Sequence, residues 1–233
     1  MLAKIHANFI KANYCFTVWR SLDDVKNPGT VWIDKATANL HSMNNFKTFF
    51  QISMNSCKEV YLLELAKCFD NDKEVLSIYS VLTFAKANIS ELNYENYITQ
   101  SWKPILLDEE NYLPITMELL EECFKRVKWK SKIIRRLMNF RNGYLWHNQL
   151  TPNKDSKITV LETEELMKLL MEIWNTLSQH LFRTTWWHNF SDKNTYEEIE
   201  RLLDFLHRFE SYRIQEIRKE SETRINGYKK NIK

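Results

Sequence analysis

Apolar residues recur at intervals of three and four along most of the chain, which is the spacing of one face of an α-helix. The first such stripe consists of Ile5, Phe9, Ala12, Phe16 and Trp19. No segment shows the sustained alternation of a half-buried strand, and the chain contains only three Gly and four Pro. The pattern therefore predicts an all-α protein of six to seven helices, including segments at about 2–22, 35–69, 73–88, 115–141, 163–188 and 195–212.

Polar and helix-breaking residues mark the predicted helix ends. An Asn-Pro-Gly stretch at 27–29 ends the first helix, and Asp-Asn-Asp at 70–72 ends the second. Asn142-Gly143 is expected to interrupt the helix that begins near residue 115, because Gly costs about 1 kcal/mol in a helix interior. We expect residues 89–114 to form an ordered loop held by aromatic side chains, and residues 218–233 to form a frayed or extended basic tail.

Composition narrows the class of protein. The chain is 44% hydrophobic and 27% charged, which is typical of a soluble globular protein. Its net charge of +3 is too small to imply nucleic-acid binding. Evidence for such binding must therefore come from where the basic residues cluster. The four cysteines form no C-x-x-C pair, which predicts reduced thiols in a cytoplasmic protein and no metal site. We also expect no cofactor, no signal peptide and no membrane-spanning segment.

The candidate chemistry lies in the middle of the chain. Arg141 and Asn142 are followed by His147, and a run of bases without any acid precedes them. Arginine stays charged and can bind a phosphate through two N–H groups, and histidine exchanges a proton near neutral pH. Together they suit cleavage of a phosphodiester bond. The run of bases consists of Lys125, Arg126, Lys128, Lys130, Lys132, Arg135 and Arg136.

Each of these features also has a structural explanation. Arg141 can cap helix carbonyls or pair with an acid, and His147 can be a partly buried core residue. The basic run suits a solvated helix face as well as an RNA-facing surface. Tyr144 and Trp146 have rings that stack on nucleobases, but aromatic residues near a helix end also serve as core or dimer contacts.

Two motifs in this order resemble the HEPN superfamily, and within it the AbiU-type abortive-infection proteins. A long helix ends in Leu-Ala-Lys-Cys-Phe-Asp at 65–70, and the second motif follows in the Arg141 region. The superfamily motif is R-x(4–6)-H with a polar residue after the Arg. Five residues separate Arg141 from His147, and Asn142 fills the polar position. The resemblance implies a HEPN-like bundle with long antiparallel helices over residues 1–190. The sequence pattern predicts a C-terminal helix and basic tail over 191–233 that pack on this bundle or extend from it.

The resemblance also implies a homodimer in which two motifs meet to form a metal-independent endoribonuclease site, acting as a toxin or phage-defence effector. His147 would move the proton, Arg141 would stabilise the charge on the phosphorane, and Asn142 would orient the phosphate or the imidazole. The products would carry a 2′,3′-cyclic phosphate and a 5′-hydroxyl. RNA is the expected partner, with a possible antitoxin. RNA would contact Lys128, Lys130, Lys132, Arg135, Arg136, Tyr144 and Trp146.

The alternative is a non-catalytic HEPN-like helical module that binds RNA, a nucleotide or a protein. A third possibility is a helical interaction protein with no nucleic-acid role, whose basic run faces away from any dimer cleft. An enzyme is expected to expose both Arg141 and His147 in a cleft. A binding or structural protein is expected to bury His147 or to pair Arg141 with an acid.

Overall fold

The computed structural model describes residues 2–92, 96, 113–147, 157–182 and 193–231. These residues form eight α-helices and one 3-10 helix at Ile89–Glu91, and they contain no strand. The all-α prediction is confirmed. In chain order the helices are α1 (Leu2–Asp24), α2 (Ile33–Asn45), α3 (Lys47–Cys68), α4 (Ile78–Ala87), α5 (Met117–Trp129), α6 (Ser131–His147), α7 (Val160–Phe182) and α8 (Lys193–Asn231).

Two of the predicted long helices are each divided in the structure. The predicted helix at 35–69 breaks at Phe46, which leaves helical geometry (φ −117°, ψ 36°) and donates its N–H to the carbonyl of Met43. The predicted helix at 115–141 breaks at Lys130, whose N–H bonds to the carbonyl of Val127 at 3.1 Å. Neither break coincides with a Gly or Pro, and an apolar stripe continues across each, so the periodicity did not reveal them.

Two predictions about where helices end are wrong. α6 continues through Asn142 and Gly143 to His147, because a propensity cost of about 1 kcal/mol is readily outweighed by packing. Leu137, five residues before Asn142, is fully buried and packs α6 into the core. The segment predicted as a frayed tail is helical as far as Asn231. Most of the loop predicted at 89–114 lies outside the described residues, which cover only 89–92, 96, 113 and 114 of it.

The described residues form two compact units. The first lies within Met1–Phe16 and Lys58–Phe190, and the second within Thr17–Cys57 and Ser191–Lys233. The predicted division into residues 1–190 and 191–233 stays a prediction. None of the helices that the structure describes has both the length and the hydropathy needed to cross a membrane.

The first unit is built on apolar stripes from six helices. α5 packs against α4, α6 and α7, and α6 also packs against α7. Phe16 meets Tyr61 edge to face, with ring centroids 5.3 Å apart. The buried side chains include Ile5, Phe9, Phe16, Tyr61, Leu62, Leu65, Phe69, Ile78, Leu82, Leu120, Val127, Leu137, Leu166 and Leu170.

The second unit has a smaller core, formed where α2 packs against α8. Inside it the side-chain amide of Asn39 donates to the carbonyl of Val25 at 2.7 Å, which satisfies a buried polar group. Lys35 pairs with Glu200 at 2.6 Å and ties the same two helices together. The buried apolar residues of this core are Leu22, Val25, Met43, Phe50, Ile199 and Leu203.

A buried carboxylate ties α1 to α3 within the first unit. Glu64 is 5% exposed, and its Oε1 accepts hydrogen bonds from Lys11 at 2.8 Å and from Lys67 at 3.0 Å. Burial alone would raise the pKa of this carboxyl. The two ammonium groups outweigh that effect and hold the pKa of Glu64 below its usual value.

We predict that Glu64→Gln lowers the free energy of unfolding at pH 7 by on the order of 1 kcal/mol, since it removes two charge-assisted hydrogen bonds. The stabilising effect of Glu64 is complete above the unfolded-state pKa near 4.3 and is lost as pH falls through the lower folded-state pKa. Wild type should therefore lose more stability than the variant between about pH 5 and pH 3. Denaturant unfolding at several pH values measures this difference.

Glu121→Gln is the matched control, because Glu121 pairs with Lys86 at the surface with 63% of its side chain exposed. Exposed pairs contribute little to stability, so this variant should follow the wild-type pH profile. Equal pH profiles for Glu64→Gln and wild type would contradict the proposed role of the carboxylate.

Candidate functional site

Arg141 lies near the C-terminal end of α6, one turn after the buried Leu137. Its Nη1 donates to Oδ2 of Asp70, a residue 71 positions earlier in the chain. The Arg141 side chain is 21% exposed and that of Asp70 is 11% exposed. The pair is therefore largely enclosed, but the guanidinium keeps contact with solvent.

Asp70 is positioned by the end of α3. That helix ends at Cys68, and both Cys68 and Phe69 are fully buried. The N–H of Phe69 bonds to the carbonyl of Ala66 at 3.1 Å, which closes the last turn. Immediately afterwards, Oδ1 of Asp70 accepts the N–H of Asp72 at 3.1 Å. The carboxylate is thus fixed to its own backbone through one oxygen and bound to Arg141 through the other.

Asn142 contacts the guanidinium from a second side. Its Oδ1 accepts from Nε of Arg141 at 3.1 Å. The sequence prediction gave Asn142 the task of orienting the phosphate or the imidazole, whereas in the structure its side chain contacts Arg141. Within the described part of the chain, Nη2 of Arg141 has no hydrogen-bond partner.

The remaining motif residues are placed by their backbone alone. Tyr144, Trp146 and His147 all belong to α6, but their side chains lie outside the described residues. Positions 141 and 147 are about 9 Å apart along one helix axis and about 120° apart around it. The structure therefore brings Arg141 together with Asn142 and Asp70, and it sets His147 on the same helix at a different angle.

Acidic residues of α7 neutralise part of the basic run. Arg126 pairs with Glu172 and Arg136 pairs with Glu162. Between them Lys130 bonds to Glu165 at 2.6 Å. Two of the predicted RNA-binding residues, Lys130 and Arg136, are therefore engaged in ion pairs.

The other predicted phosphate-binding bases are not paired in this way. No ion pair to a described residue involves Lys128, Lys132 or Arg135. Nearby, Nζ of Lys125 lies 5.2 Å from the ring centroid of Trp129, whose side chain is 69% exposed. An ammonium group and an exposed indole thus lie within the same segment as these unpaired basic side chains, which suits contact with a nucleic-acid strand.

The start of α7 positions one of these acids. Thr159 and Glu162 form a reciprocal capping box, with Glu162 accepting the N–H of Thr159 at 3.0 Å and Thr159 accepting the N–H of Glu162 at 3.3 Å. Burial raises the pKa of Glu162, but the bonds to Thr159 and the charge of Arg136 lower it overall. This helix start precedes the predicted start at residue 163, and the T-x-x-E pattern at 159–162 would have indicated it.

Sequence reasoning missed the acids that contact the candidate site. Asp70 belongs to the segment on which the resemblance rests, but nothing in its spacing shows that it reaches Arg141. The acids of α7 had a detectable signal, since Glu162, Glu165 and Glu172 recur at helical intervals. Among the described residues, no group of three or more His, Cys, Asp or Glu side chains could hold a metal ion.

Comparison with known proteins gives a family for the chain. The HEPN family model described as AbiU2 matches residues 1–195, which include Asp70 and the whole Arg141–His147 motif. No curated protein and no solved structure matches the chain. Because the family model covers well over half of the sequence, the chain belongs to the AbiU2 family of HEPN proteins.

Proposed function

We propose that this HEPN protein is a metal-independent endoribonuclease that acts as an abortive-infection toxin or phage-defence effector. The observation that supports this most directly is the arrangement of Arg141. Its guanidinium is held through Nε by Asn142 and through Nη1 by Asp70, while Nη2 has no partner among the described residues. A fixed cation with unused donors is what a developing phosphorane charge requires.

In the proposed reaction the imidazole of His147 removes the proton from the ribose 2′-hydroxyl. The 2′-oxygen forms a bond to phosphorus, and the bond from phosphorus to the 5′-oxygen breaks. A protonated imidazole gives its proton to the departing 5′-oxygen. The products are a 2′,3′-cyclic phosphate and a 5′-hydroxyl. Arg141 stabilises the negative charge on the non-bridging oxygens throughout.

A homodimer fits this reaction better than a single chain. α6 continues through Asn142 and Gly143. Positions 141 and 147 therefore keep the angular separation of about 120° that a single helix gives them. One chain also has only one motif imidazole for two proton transfers. A second copy would supply the other imidazole and bring a second Arg141 to the phosphate.

RNA binding is proposed to depend chiefly on Lys128, Lys132 and Arg135, which have no ion pair within the described part of the chain. Lys130 and Arg136 share their charge with Glu165 and Glu162. They would release fewer counterions when a phosphate binds. Tyr144 and Trp146 remain proposed stacking residues at the end of α6.

A second candidate function is a non-catalytic HEPN-like module that binds RNA, a nucleotide or a protein. The ion pair between Arg141 and Asp70 favours it, because pairing of the motif arginine with an acid is expected of a binding or structural protein. The two candidates differ in whether the purified protein cleaves RNA at all.

The first prediction tests the chemistry. His147→Ala should lower RNA cleavage about a hundred- to ten-thousandfold, because general acid–base catalysis is lost. Arg141→Ala should do comparable damage, and Arg141→Lys should recover only part of it, because lysine lacks the planar fork. The measurement is cleavage of mixed cellular RNA in EDTA, with analysis of the product ends. His207→Ala, an exposed histidine of α8, is the matched control and should keep full activity.

Equal cleavage by wild type and His147→Ala would contradict this mechanism, and so would cleavage that requires added metal. RNA binding without cleavage by wild type would favour the second candidate function.

The next prediction concerns the basic run. Replacing Lys128 and Lys132 by Gln should weaken binding to all RNA sequences about equally. It should also reduce the slope of log affinity against log salt by about 1.4, or about 0.7 per lost phosphate contact on a single strand. Titrations at several salt concentrations measure the slope. The control replaces the ion-paired Arg126 and Glu172 by Gln together and should leave the slope unchanged. If the two double variants have the same slope, the basic run is not part of the RNA-binding surface.

The last prediction of this group concerns assembly. Sedimentation at micromolar concentration should give about twice the chain mass of 28.2 kDa. Mixing wild type with excess His147→Ala should lower the activity by more than the dilution of wild type, because a mixed dimer holds only one of the two imidazoles that the proposed reaction uses. A monomer, or activity that falls only in proportion to dilution, would exclude the composite site.

A further inference from the structure

Asp70 is held independently of the arginine that it binds. Phe69 and Cys68 are buried and fix the end of α3. The Asp70 carboxylate then accepts the N–H of Asp72 through Oδ1 and the Nη1 donor of Arg141 through Oδ2. Because the first of these bonds lies within its own turn, Asp70 cannot follow the guanidinium if Arg141 moves. It acts as a fixed point against which the arginine is set.

The guanidinium is held at two of its three nitrogens. Asp70 binds Nη1, and Asn142 binds Nε at 3.1 Å. A planar, rigid group bound at two nitrogens by two separate side chains is restrained against rotation out of their common plane. The plane of Arg141, and with it the direction of the Nη2 donors, is therefore set before any substrate arrives.

A purely structural role explains these contacts less well. A largely enclosed ion pair is weak support for stability, because the cost of removing two charges from water offsets their attraction. A structural tie between α3 and α6 would also need no second bond from Asn142. In addition, Arg141 is more exposed than Asp70, with side-chain values of 21% and 11%. The solvent-facing partner is the arginine, whose Nη2 has no partner among the described residues.

We propose that Asp70 is a positioning residue for Arg141, which sets the guanidinium plane so that Nη2 meets the non-bridging oxygens of the phosphate being cleaved. This inference rests on the proposed ribonuclease function. Asp70 touches neither the substrate nor the proton that moves. Its effect is exerted on the transition state through Arg141, where small errors of placement reduce the rate strongly.

The test begins with Asp70→Asn. The amide oxygen can still accept the N–H of Asp72, so the turn after α3 is retained, whereas the charged contact with Arg141 is lost. We expect kcat for RNA cleavage to fall about ten- to hundredfold, with a smaller change in KM. Because loss of one partner of an enclosed ion pair destabilises a fold, kcat is compared at a temperature at which circular dichroism shows both proteins to be folded. Asp72→Asn is the matched control. Oδ1 of Asp72 accepts the N–H of Glu74 at 3.0 Å in a similar turn without contacting Arg141, and this variant should keep wild-type kcat.

The decisive measurement is a double-mutant cycle. If Asp70 acts through Arg141, then Asp70→Asn should change the residual rate of Arg141→Ala by less than about twofold. If Asp70 only supports the fold, the two losses should multiply, and that result would overturn the inference. Asp70→Glu provides a second variant should Asp70→Asn fail to fold. It keeps the charge but moves it by one methylene, and it should also lower kcat only when Arg141 is present.

The outcomes separate this inference from the function on which it rests. An inactive wild type would reject the proposed ribonuclease, and the role of Asp70 would fall with it. An active wild type with an equally active, folded Asp70→Asn would reject the role of Asp70 alone. Loss of kcat in Asp70→Asn that disappears in the Arg141→Ala background supports both.

Discussion

The contact between Asp70 and Arg141 joins two stretches that lie 71 residues apart, and the geometry of the candidate site depends on it. It forms where buried residues of two helices lie close before each partner in the sequence. Phe69 carries the core past the last residue of α3, and Leu137 carries it to within one turn of Arg141 in α6. Hydrophobic packing thus brings two charged side chains together without itself depending on their charge. The polar geometry of the site thus follows from the packing of the buried residues that precede Asp70 and Arg141.

The same logic governs the basic run. In the sequence no acidic residue lies within this run, which suggests a phosphate-binding surface. In the structure α7 lies beside α5 and α6, and its acids bind Arg126, Lys130 and Arg136. Four members of the run, Lys125, Lys128, Lys132 and Arg135, have no ion pair to a described residue. A helix face acquires its electrostatic character from the helices packed against it as well as from its own residues.

These contacts show how far the sequence alone can lead. The three- and four-residue spacing of stripes such as Ile5, Phe9 and Phe16 identified the helices. A helix that buries one face places an apolar residue on that face in every turn. It did not reveal the breaks at Phe46 and Lys130, where the stripe passes from one helix to the next. Gly143 shows the opposite error, since a residue with poor helix propensity lies within a helix that packing maintains.

The same distinction between what the sequence shows and what it does not applies to the residues of the candidate site. Arg141, Asn142 and His147 were found because they are close in sequence and follow a short motif. Asp70 was named as a helix-ending residue and as part of a segment that supports the resemblance, and its contact with Arg141 was not foreseen. Such a contact is invisible in one sequence because it requires α3 and α6 to be placed relative to each other. A local motif can therefore identify Arg141 and its neighbour Asn142, but the contact with the distant Asp70 depends on tertiary packing.

The uninterrupted course of α6 has the widest consequence for function. Had Gly143 ended the helix, the chain beyond it could have turned His147 back towards Arg141, and one chain could have formed a site. As α6 continues, the two positions keep a separation of about 9 Å along the axis and about 120° around it. The contacts of Arg141 with Asp70 and Asn142 restrain the guanidinium, so under the proposed mechanism the two constraints act together. The tighter the hold on Arg141, the more strongly the proposed chemistry requires an imidazole from a second chain.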